Sequence, residues 1–341
     1  MEHTGKTAEI LNALKSDMTA QIYWLKSCQI SSPGSPADGA ISRYPGQGSV
    51  TPYFSNFAAM ALLEEPACLP SVERYLNWYL RNQEKNGTIR DYYYDSKYNY
   101  KTTAPDSEDA YAGTFLTLAF TYYKKASSTS WINNNIKKLK KIATSVVNLI
   151  DRDGLTFVLA GRRTKFLMDN CEAYRGLADF AELLGDIGDQ EAPFYKAKAE
   201  VIAGGIDKVL FNPQKQYYHP SKRFWIRPRV NLKRFYPDTA CQVFPVLYGL
   251  IKPESGRGGH LYRVLNDYHG NWVTIKPPDH PWMILGFYSC LHKNYAKAYE
   301  KIRHSRKAYI DTGSGSWFCA ESAFFTLTCA KLILERDKWL Y

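Results

Sequence analysis

The chain has 341 residues, of which 45% are hydrophobic and 15% aromatic, and its formal net charge is +11. This length suits one large domain or two ordinary ones, and the hydrophobic share is enough for a sizeable core. The basic residues are spread along the chain and no zinc-finger, RNP-type or P-loop motif accompanies them, so we expect no nucleic-acid partner.

The N-terminal segment and the cysteines bear on the cellular compartment. Residues 1–17 lack the apolar core of a secretory signal, and no apolar run approaches the length of a membrane span. The seven cysteines form no CxxC pair, and several fall in apolar helical runs, which predicts buried, reduced thiols. We therefore expect a cytoplasmic protein with no membrane partner, although a secreted mature form without its signal would look the same.

Hydrophobic periodicity predicts twelve helices along the chain. The expected ranges are 6–29, 52–65, 69–85, 106–125, 131–150, 169–185, 190–210, 239–251, 261–268, 279–292, 295–309 and 319–339. Pro52 suits the first turn of the second helix. Asp-Gly or Asn-Gly pairs at 38–39, 86–87 and 153–154 are turn signals, and they predict short β-hairpins in the loops before even-numbered helices.

The twelve predicted helices alternate in character. Odd-numbered helices are amphipathic and charged, as expected for an outer ring in contact with water. Even-numbered helices are apolar nearly all round and rich in small residues, which suits a closely packed inner ring. Every loop that carries aromatic and acidic residues joins an odd helix to the next even one, so these loops should gather at one mouth. The inner helices would point their N-termini at that mouth.

One octapeptide pattern occurs twice in the chain. Residues 106–113, DSEDAYAG, are repeated as residues 169–176, DNCEAYRG, and a weaker copy begins at Asp238. Each full copy opens an apolar helical run and places two acids on one face of its first turn. The same spacing also describes a helix-capping box. A cap does not require the long aromatic loop that precedes each copy, so a site role competes with capping at both places.

Twelve helices in six hairpins, with acids at the mouths of the inner helices, resemble the six-hairpin glycosidase superfamily over almost the whole chain. The resemblance implies an all-α (α/α)6 toroid that forms a single domain over residues 1–341. Met168-Asp169-Asn170 resembles the place where unsaturated-glucuronyl and rhamnogalacturonyl hydrolases carry a catalytic Asp. The Glu-Gly-containing motif of cellulase-type members is absent near the first inner helix, where Asp38 and Tyr44 stand instead.

Glycoside hydrolysis needs one carboxylic acid to protonate the leaving oxygen and a second carboxylate to activate water or attack the anomeric carbon. We expect Asp169 to be the proton donor, with Asp109 or Asp106 opposite it. Two carboxylates at similar depth in one cleft repel, so the pKa of one should rise and keep it protonated near neutrality. The nearby helix N-termini act against that rise, because they favour the charged form.

Aromatic and charged residues of the mouth loops are candidate ligands for a polar glycan that could carry negative charge. The candidate substrate-binding residues are Asp38, Tyr44, Asp91, Glu172, Arg163, Trp225, Arg229, Asp238, His280, Trp282, Trp317 and Glu321. The basic residues with which an anionic glycan could pair are Arg162, Arg163, Arg227, Arg229 and Arg234. Structural alternatives compete, including capping by Asp238 and a buried ion pair of Glu321.

Two other functions stay open at this point. A sugar isomerase, an epimerase or a polysaccharide lyase could use His219, His280 or a tyrosine as a base on a similar barrel. A non-catalytic carbohydrate-binding protein could use the same aromatic mouth. We expect no metal and no nucleotide cofactor, since the His and Cys spacings form no metal site and no Gly-rich phosphate cradle precedes a helix.

Overall fold

The computed structural model describes residues 2–126, 128–274 and 281–340. These residues form twelve α-helices, and each of them except α8 begins or ends within two residues of a predicted boundary. They are α1 (Glu2–Cys28), α2 (Pro52–Leu62), α3 (Leu69–Arg81), α4 (Glu108–Ala126), α5 (Ser130–Asn148), α6 (Leu167–Asp186), α7 (Ala192–Gly205), α8 (Phe244–Leu247), α9 (Gly256–Tyr268), α10 (Ile284–Leu291), α11 (Tyr295–Ser305) and α12 (Cys319–Leu334).

The even-numbered helices form a closed inner ring. Helix α2 packs on α4, α4 on α6, α6 on α8, α8 on α10, α10 on α12, and α12 packs back on α2. The odd-numbered helices lie outside this ring, and α1 contacts both α2 and α12. The prediction of an all-α toroid of six helical hairpins is thereby confirmed.

The packing of the two rings follows the predicted patterns. Outer helix α5 buries one stripe, which includes Leu139, Ile142 and Val146, while Lys137 and Lys138 are exposed on its other side. Inner helices α4 and α12 are buried on nearly all sides.

The glycine that ends each copy of the repeat lies where α4 and α6 approach each other most closely. A Cβ atom added to Gly176 would lie 2.4 Å from the carbonyl oxygen of Gly113. A Cβ added to Gly113 would lie 2.6 Å from the carbonyl oxygen of Glu172. Only glycine allows the two backbones to come this close, so the repeat includes a packing signal between two neighbouring inner helices.

The fourth inner helix, α8, is much less regular than predicted. A π-helical turn (Phe235–Thr239) and a 3-10 turn (Ala240–Val243) precede α8, which has only four residues. Pro245 has no backbone N–H to donate, and Gly249 turns the chain with φ +74° soon afterwards. The predicted tenth helix also begins later, since α10 starts at Ile284, and the expected start at 279–280 lies outside the described residues.

Short antiparallel strands occupy the loops that enter the inner helices. Strands β1 (Ser49–Val50), β2 (Asp91–Tyr94) and β3 (Tyr100–Thr103) form one sheet. Strand β4 (Thr164–Phe166) pairs with β7 (Ser221–Arg223), and β5 (Phe211–Asn212) pairs with β6 (Tyr217–Tyr218). The predicted turn glycines Gly39, Gly87 and Gly154 all have positive φ.

The hydrophobic core is extensive, as the hydrophobic share of the sequence predicts. All seven cysteines are buried and unpaired. A large hydrophobic cluster runs through most of the toroid, and a second one joins α1, α10, α11 and α12. Met18, Trp24 and Phe324 pack against both clusters. Across the described ranges, no helix has the length and apolar character needed to span a bilayer.

Candidate active site

A cavity of about 640 Å³ lies at the N-terminal ends of the inner helices. All six inner helices, or the residues just before them, contribute to its wall. Ten of its described lining residues are aromatic. Its described acidic residues are Asp106, Asp169, Glu172 and Glu321. A largely apolar pocket with a few convergent polar groups is typical of a small-molecule site.

Glu172 is a buried carboxyl group on the first turns of α6, with 1% of its surface exposed. The hydroxyl groups of Tyr53 and Tyr248 both donate to its Oε1 atom, at 2.6 and 2.8 Å. Burial raises the pKa of Glu172 to about 8, although the two phenol hydrogen bonds act in the opposite direction. Glu172 therefore holds a proton over much of the neutral range.

Asp169 is a half-buried side chain on the cavity wall, one helical turn from Glu172. Its pKa is raised well above the ordinary value, first by burial and then by the negative charges of Asp109, Glu172 and Asp106. A hydrogen bond with Ser107 lowers that pKa by a smaller amount. Asp169 thus faces the cavity in surroundings that favour the protonated form of its carboxyl group.

Capping does not explain the position of Asp169. Helix α6 begins at Leu167, and its N-cap residue Phe166 makes no side-chain cap hydrogen bond. Asp169 therefore lies inside the first turn. At the other copy of the repeat, the hydroxyl group of Ser107 accepts from the backbone N–H of Ala110 at 3.1 Å, as an N-cap side chain does. The residue that caps α4 is Ser107.

The structure places Asp109 behind the cavity wall. This side chain is fully buried and accepts hydrogen bonds from the hydroxyl groups of Ser107, at 2.8 Å, and Thr156, at 2.6 Å. Burial raises its pKa to about 6. Asp109 is not among the residues that line the cavity. It joins the start of α4 to the loop that precedes α6, and it affects Asp169 through its charge.

Asp106 and Asp91 lie near each other at the same side of the mouth. Asp106 is exposed and lines the cavity. Asp91, on β2, accepts a hydrogen bond of 3.1 Å from the hydroxyl group of Tyr111, and burial raises the pKa of Asp91 to about 6. The ring of Tyr111 lines the cavity and stacks on Tyr53, with 5.8 Å between ring centroids. Asp91 therefore reaches the cavity only through Tyr111.

Glu321 lies on the wall across the cavity from α6, because α12 and α6 are three places apart in the ring of six inner helices. Its side chain is 5% exposed, and its Oε2 atom accepts from the backbone N–H of Met283 at 2.6 Å. The buried ammonium group of Lys301 donates to two backbone carbonyls. Burial lowers the pKa of Lys301 to about 8, against the opposing effect of the Glu321 charge.

Trp282 lines the cavity between these walls. Its backbone φ is +58°, and a bulky residue rarely adopts this left-handed conformation, which often marks a functional site. The indole ring packs against Phe235 and Tyr236, with centroid distances of 5.2 and 5.5 Å. These three rings form an aromatic corner beside α10.

Asp38 and Tyr44 lie outside the described cavity lining and contact other parts of the protein. Asp38 forms an ion pair of 2.9 Å with Arg74 of α3. The hydroxyl group of Tyr44 donates to the carbonyl oxygen of Gly315 at 2.7 Å. Tyr44 thereby joins the first mouth loop to the last one.

Asp238 and Trp317 also lie in structural positions rather than in the cavity. Asp238 is fully buried, pairs with Arg234 and accepts from the backbone N–H of Asn231 at 2.9 Å. Trp317 is buried in the second hydrophobic cluster, where its Nε1 atom donates to Gln21 at 3.0 Å. The sequence alone cannot distinguish such buried polar contacts from ligand contacts.

The basic candidates of the mouth loops are absent from the described cavity lining. Arg163, Trp225 and Arg229 are exposed, and they lie beside the two-stranded sheet of β4 and β7. The Nδ1 atom of His219 lies 3.0 Å from the carbonyl oxygen of Pro228, and this histidine does not line the cavity either. His280 lies outside the described residues. In the part of the chain that the structure describes, no cluster of three His, Cys, Asp or Glu residues is placed to hold a metal ion.

Tyr53 and Tyr248 are site residues that the sequence analysis missed. Tyr53 follows Pro52 at the start of an otherwise apolar inner helix, and a polar ring at that place is a signal that could have found it. Tyr248 directly follows the short helix α8, and its hydroxyl group reaches Glu172 from there. No local pattern indicates that contact.

No protein-family model and no curated protein matches the chain. Among solved structures it is similar to the GH78 family rhamnosidase of Bacillus sp. GL1, with a TM-score of 0.59 and 15% identity, over 89% of this chain and 30% of that one. A rhamnosidase from Klebsiella oxytoca with rhamnose bound gives a TM-score of 0.65 and 12% identity, over 95% of this chain and 64% of that one.

A wild-type glycosidase gives a TM-score of 0.66 and 11% identity, over 97% of this chain and 98% of that one. The chain thus spans about a third of the Bacillus enzyme but nearly the whole of this glycosidase. These similarities show that the fold is the six-hairpin toroid also found in glycosidases.

Proposed function

We propose that the protein is a glycoside hydrolase-like enzyme that cleaves a glycosidic bond by carboxyl acid/base catalysis. The observation that carries the proposal is a pair of carboxyl groups, Asp169 and Glu321, on opposite walls of one aromatic-lined cavity. Their different surroundings support different roles for them. The likeness of the fold to glycosidases is consistent with this chemistry, but a fold alone does not establish it.

Asp169 is the proposed proton donor. A general acid must be protonated near neutral pH before it can give its proton to the leaving oxygen. The pKa of Asp169 is raised well above its ordinary value by burial and by three neighbouring acids, and its side chain still faces the cavity. This combination matches the tuned acid of known glycosidases, where an apolar environment keeps a carboxyl group protonated.

Glu321 is the proposed second carboxylate, which activates water or attacks the anomeric carbon. The two catalytic groups must flank the bond from different sides. The charge of Asp106 contributes to the raised pKa of Asp169, which indicates that these two acids lie close together. Glu321 lies on the opposite side of the ring. The backbone N–H of Met283 orients the Glu321 carboxylate. Asp106 then suits a hydrogen bond to a sugar hydroxyl group.

In the proposed substrate, the sugar unit that occupies the cavity is polar and carries no negative charge. Four described lining residues are acidic and none is basic, so a sugar carboxylate would find no cationic partner there and would meet repulsion from each of these acids that is ionised. The rings of Tyr53, Trp282 and Tyr236 offer faces on which a sugar ring can stack. The exposed arginines of the mouth loops do not offset this repulsion, since they lie outside the described lining.

The test is hydrolysis of a panel of aryl glycosides and oligosaccharides by the native protein and by Asp169→Asn and Glu321→Gln. Each variant should lose turnover by about 10²–10⁴-fold, with its melting temperature changed little. Asp186→Asn is the matched control, because Asp186 is an acid at the other end of α6 whose contact is a surface ion pair with Lys124. This variant should keep normal turnover.

The products separate hydrolysis from the alternatives. New reducing ends would support the proposal, whereas unsaturated ends that absorb in the near ultraviolet would indicate a lyase. Binding without turnover across the whole panel would indicate a carbohydrate-binding protein. Near-normal hydrolysis by Asp169→Asn would show that Asp169 is not the proton donor.

A further inference from the structure

An exposed aromatic tip ends the hairpin that β7 forms with the residues after it. The backbone groups of Arg223 and Ile226 exchange two hydrogen bonds of 2.9 Å, so Phe224 and Trp225 are the two central residues of a tight turn. The exposed fractions of Phe224, Trp225 and Ile226 are 52%, 83% and 60%. None of the three belongs to either hydrophobic cluster.

The backbone at this tip is strained. Phe224 has a φ of +53°, where glycine or asparagine is usual and a bulky side chain is unfavourable. A turn that only connected two strands would be more stable with glycine at this position. Three consecutive apolar side chains in water are a further cost to solubility. The residues at the tip are therefore unfavourable for both stability and solubility, and a binding role would explain their presence.

The surroundings of the tip are strongly basic. Residues 220–237 contain six Lys or Arg and no acidic residue. Lys165 and Lys222 are neutralised by Asp151 and Asp153. Five arginines near the tip have no ion pair among the described residues, namely Arg162, Arg163, Arg223, Arg227 and Arg229, and Arg227 donates to the backbone carbonyl of Val209. The net result is an apolar tip on a positively charged base.

We propose that this basic hairpin, residues 162–166 and 221–229, docks the protein onto an anionic phospholipid surface. The three apolar side chains would enter the boundary between headgroups and acyl chains, and the unpaired arginines would contact lipid phosphates. Charge complementarity and the exposed tip together select this partner. No described helix could cross a bilayer, and the proposal concerns a surface contact only.

The ring geometry favours lipid over an anionic glycan. The planes of Phe224 and Trp225 are inclined by 50°, with centroids 5.9 Å apart, so one flat sugar ring cannot stack on both. Ile226 has no face for stacking and no hydrogen-bonding group. Insertion into an apolar boundary has no such directional requirement, because the hydrophobic effect depends on buried area rather than on orientation.

The hairpin is attached close to the catalytic helix. Strand β4 leads directly into α6, and the backbone N–H of Leu167 donates to the carbonyl oxygen of Pro220 at 2.9 Å. Docking would therefore bring the cavity mouth near the surface and its glycans. The docking itself does not depend on the proposed hydrolysis, so it can be tested without a substrate.

The experiment is co-sedimentation of the protein with vesicles of phosphatidylcholine alone and of equimolar phosphatidylcholine and phosphatidylglycerol. The native protein should bind the anionic vesicles and bind the neutral ones at least about ten-fold more weakly, and salt should weaken the anionic binding. Phe224→Gly with Trp225→Ser should lose about ten-fold in affinity. This pair should not lower the melting temperature, since glycine relieves the strained φ.

Three further variants separate the effect of charge at the tip from charge and apolar side chains elsewhere on the surface. Arg223→Gln with Arg229→Gln should lose about twenty-five-fold in affinity, because each arginine near an anionic surface contributes about a five-fold factor. Lys137→Gln with Lys138→Gln removes equal charge from α5, and Leu334→Ser removes an apolar side chain that is 72% exposed at the end of α12. Both controls should bind as the native protein does.

Three outcomes would overturn the proposal. The first is equal binding to neutral and anionic vesicles. The second is unchanged binding by the tip variant. The third is binding of soluble polygalacturonate that requires Trp225, in the absence of vesicle binding, which would assign the hairpin to an acidic glycan instead.

Discussion

Replacing Glu172 with glutamine should stabilise the protein at neutral and alkaline pH. Folding raises the pKa of Glu172 from its ordinary value of 4.5 to about 8, chiefly through burial. Between these two values the folded protein binds more protons than the unfolded chain, so this group lowers stability as pH rises. The full difference corresponds to roughly 5 kcal/mol, at 1.36 kcal/mol for each pKa unit. The penalty is absent below about pH 4.5 and complete above about pH 8.

Glutamine should keep the contacts of Glu172 while removing its charge. The side-chain carbonyl oxygen of glutamine can accept from both Tyr53 and Tyr248, as Oε1 of Glu172 does. We expect Glu172→Gln to equal the native protein near pH 4.5 and to exceed its free energy of unfolding by about 2–5 kcal/mol at pH 8.5. The lower bound allows for relaxation of the buried site.

Urea unfolding followed by tryptophan fluorescence at both pH values gives the measurement. Glu182→Gln is the control, since Glu182 lies on the same helix but is exposed and forms a surface ion pair with Lys124. This control should differ from the native protein by the same small amount at both pH values. A Glu172→Gln variant that is equally or less stable than the native protein at pH 8.5 would refute the reasoning.

Three further predictions concern packing, proton transfer and cooperativity. Gly176→Ala should lose about 2–4 kcal/mol in urea unfolding, because its Cβ would meet the backbone of Gly113, whereas Gly185→Ala on the same helix meets nothing within 4 Å and should be neutral. On a verified substrate, Asp109→Asn should move the alkaline limb of the rate profile to lower pH, since the charge of Asp109, whose pKa is about 6, has the largest effect among the neighbouring charges that raise the pKa of Asp169; an unmoved limb would argue against Asp169 as the acid. Fluorescence and far-ultraviolet circular dichroism should report one coincident unfolding transition, as expected for a single domain, and two separate transitions would contradict it.

Much of the fold could be predicted from the sequence because inner and outer helices have different hydrophobic patterns. A helix surrounded by others, such as α12, is apolar all round, whereas α5 shows a single buried stripe. Helix α8 could not be predicted in the same way. Its residues are as apolar as those of the other inner helices, but Pro245 and the preceding turns divide it into three short segments.

The site was less predictable because neighbouring residues in a first helical turn point in different directions. The repeat placed Asp169 and Glu172 at the N-terminal end of an inner helix, and both line the cavity there. It could not show that Asp106 faces the cavity while Asp109 faces Thr156. That difference depends on where α4 begins and on which residue caps it, and the cap is Ser107.

Helix N-termini lower the pKa of the acids at this cavity and burial raises it, and the larger of the two free energies decides the outcome. An acid near a helix N-terminus gains about 0.3–1 kcal/mol, and at most about 2 kcal/mol in a partly buried site. The rise in the pKa of Glu172 to about 8 corresponds to roughly 5 kcal/mol against the charged form, even with two phenol hydrogen bonds opposing it. Burial and mutual repulsion therefore prevail over the N-termini of α4 and α6. Because Asp169, Asp109 and Glu172 cannot all ionise cheaply in one cluster, the cluster retains protons near neutrality. Asp169 and Glu172 both line the cavity, and Asp169 is the more exposed of the two.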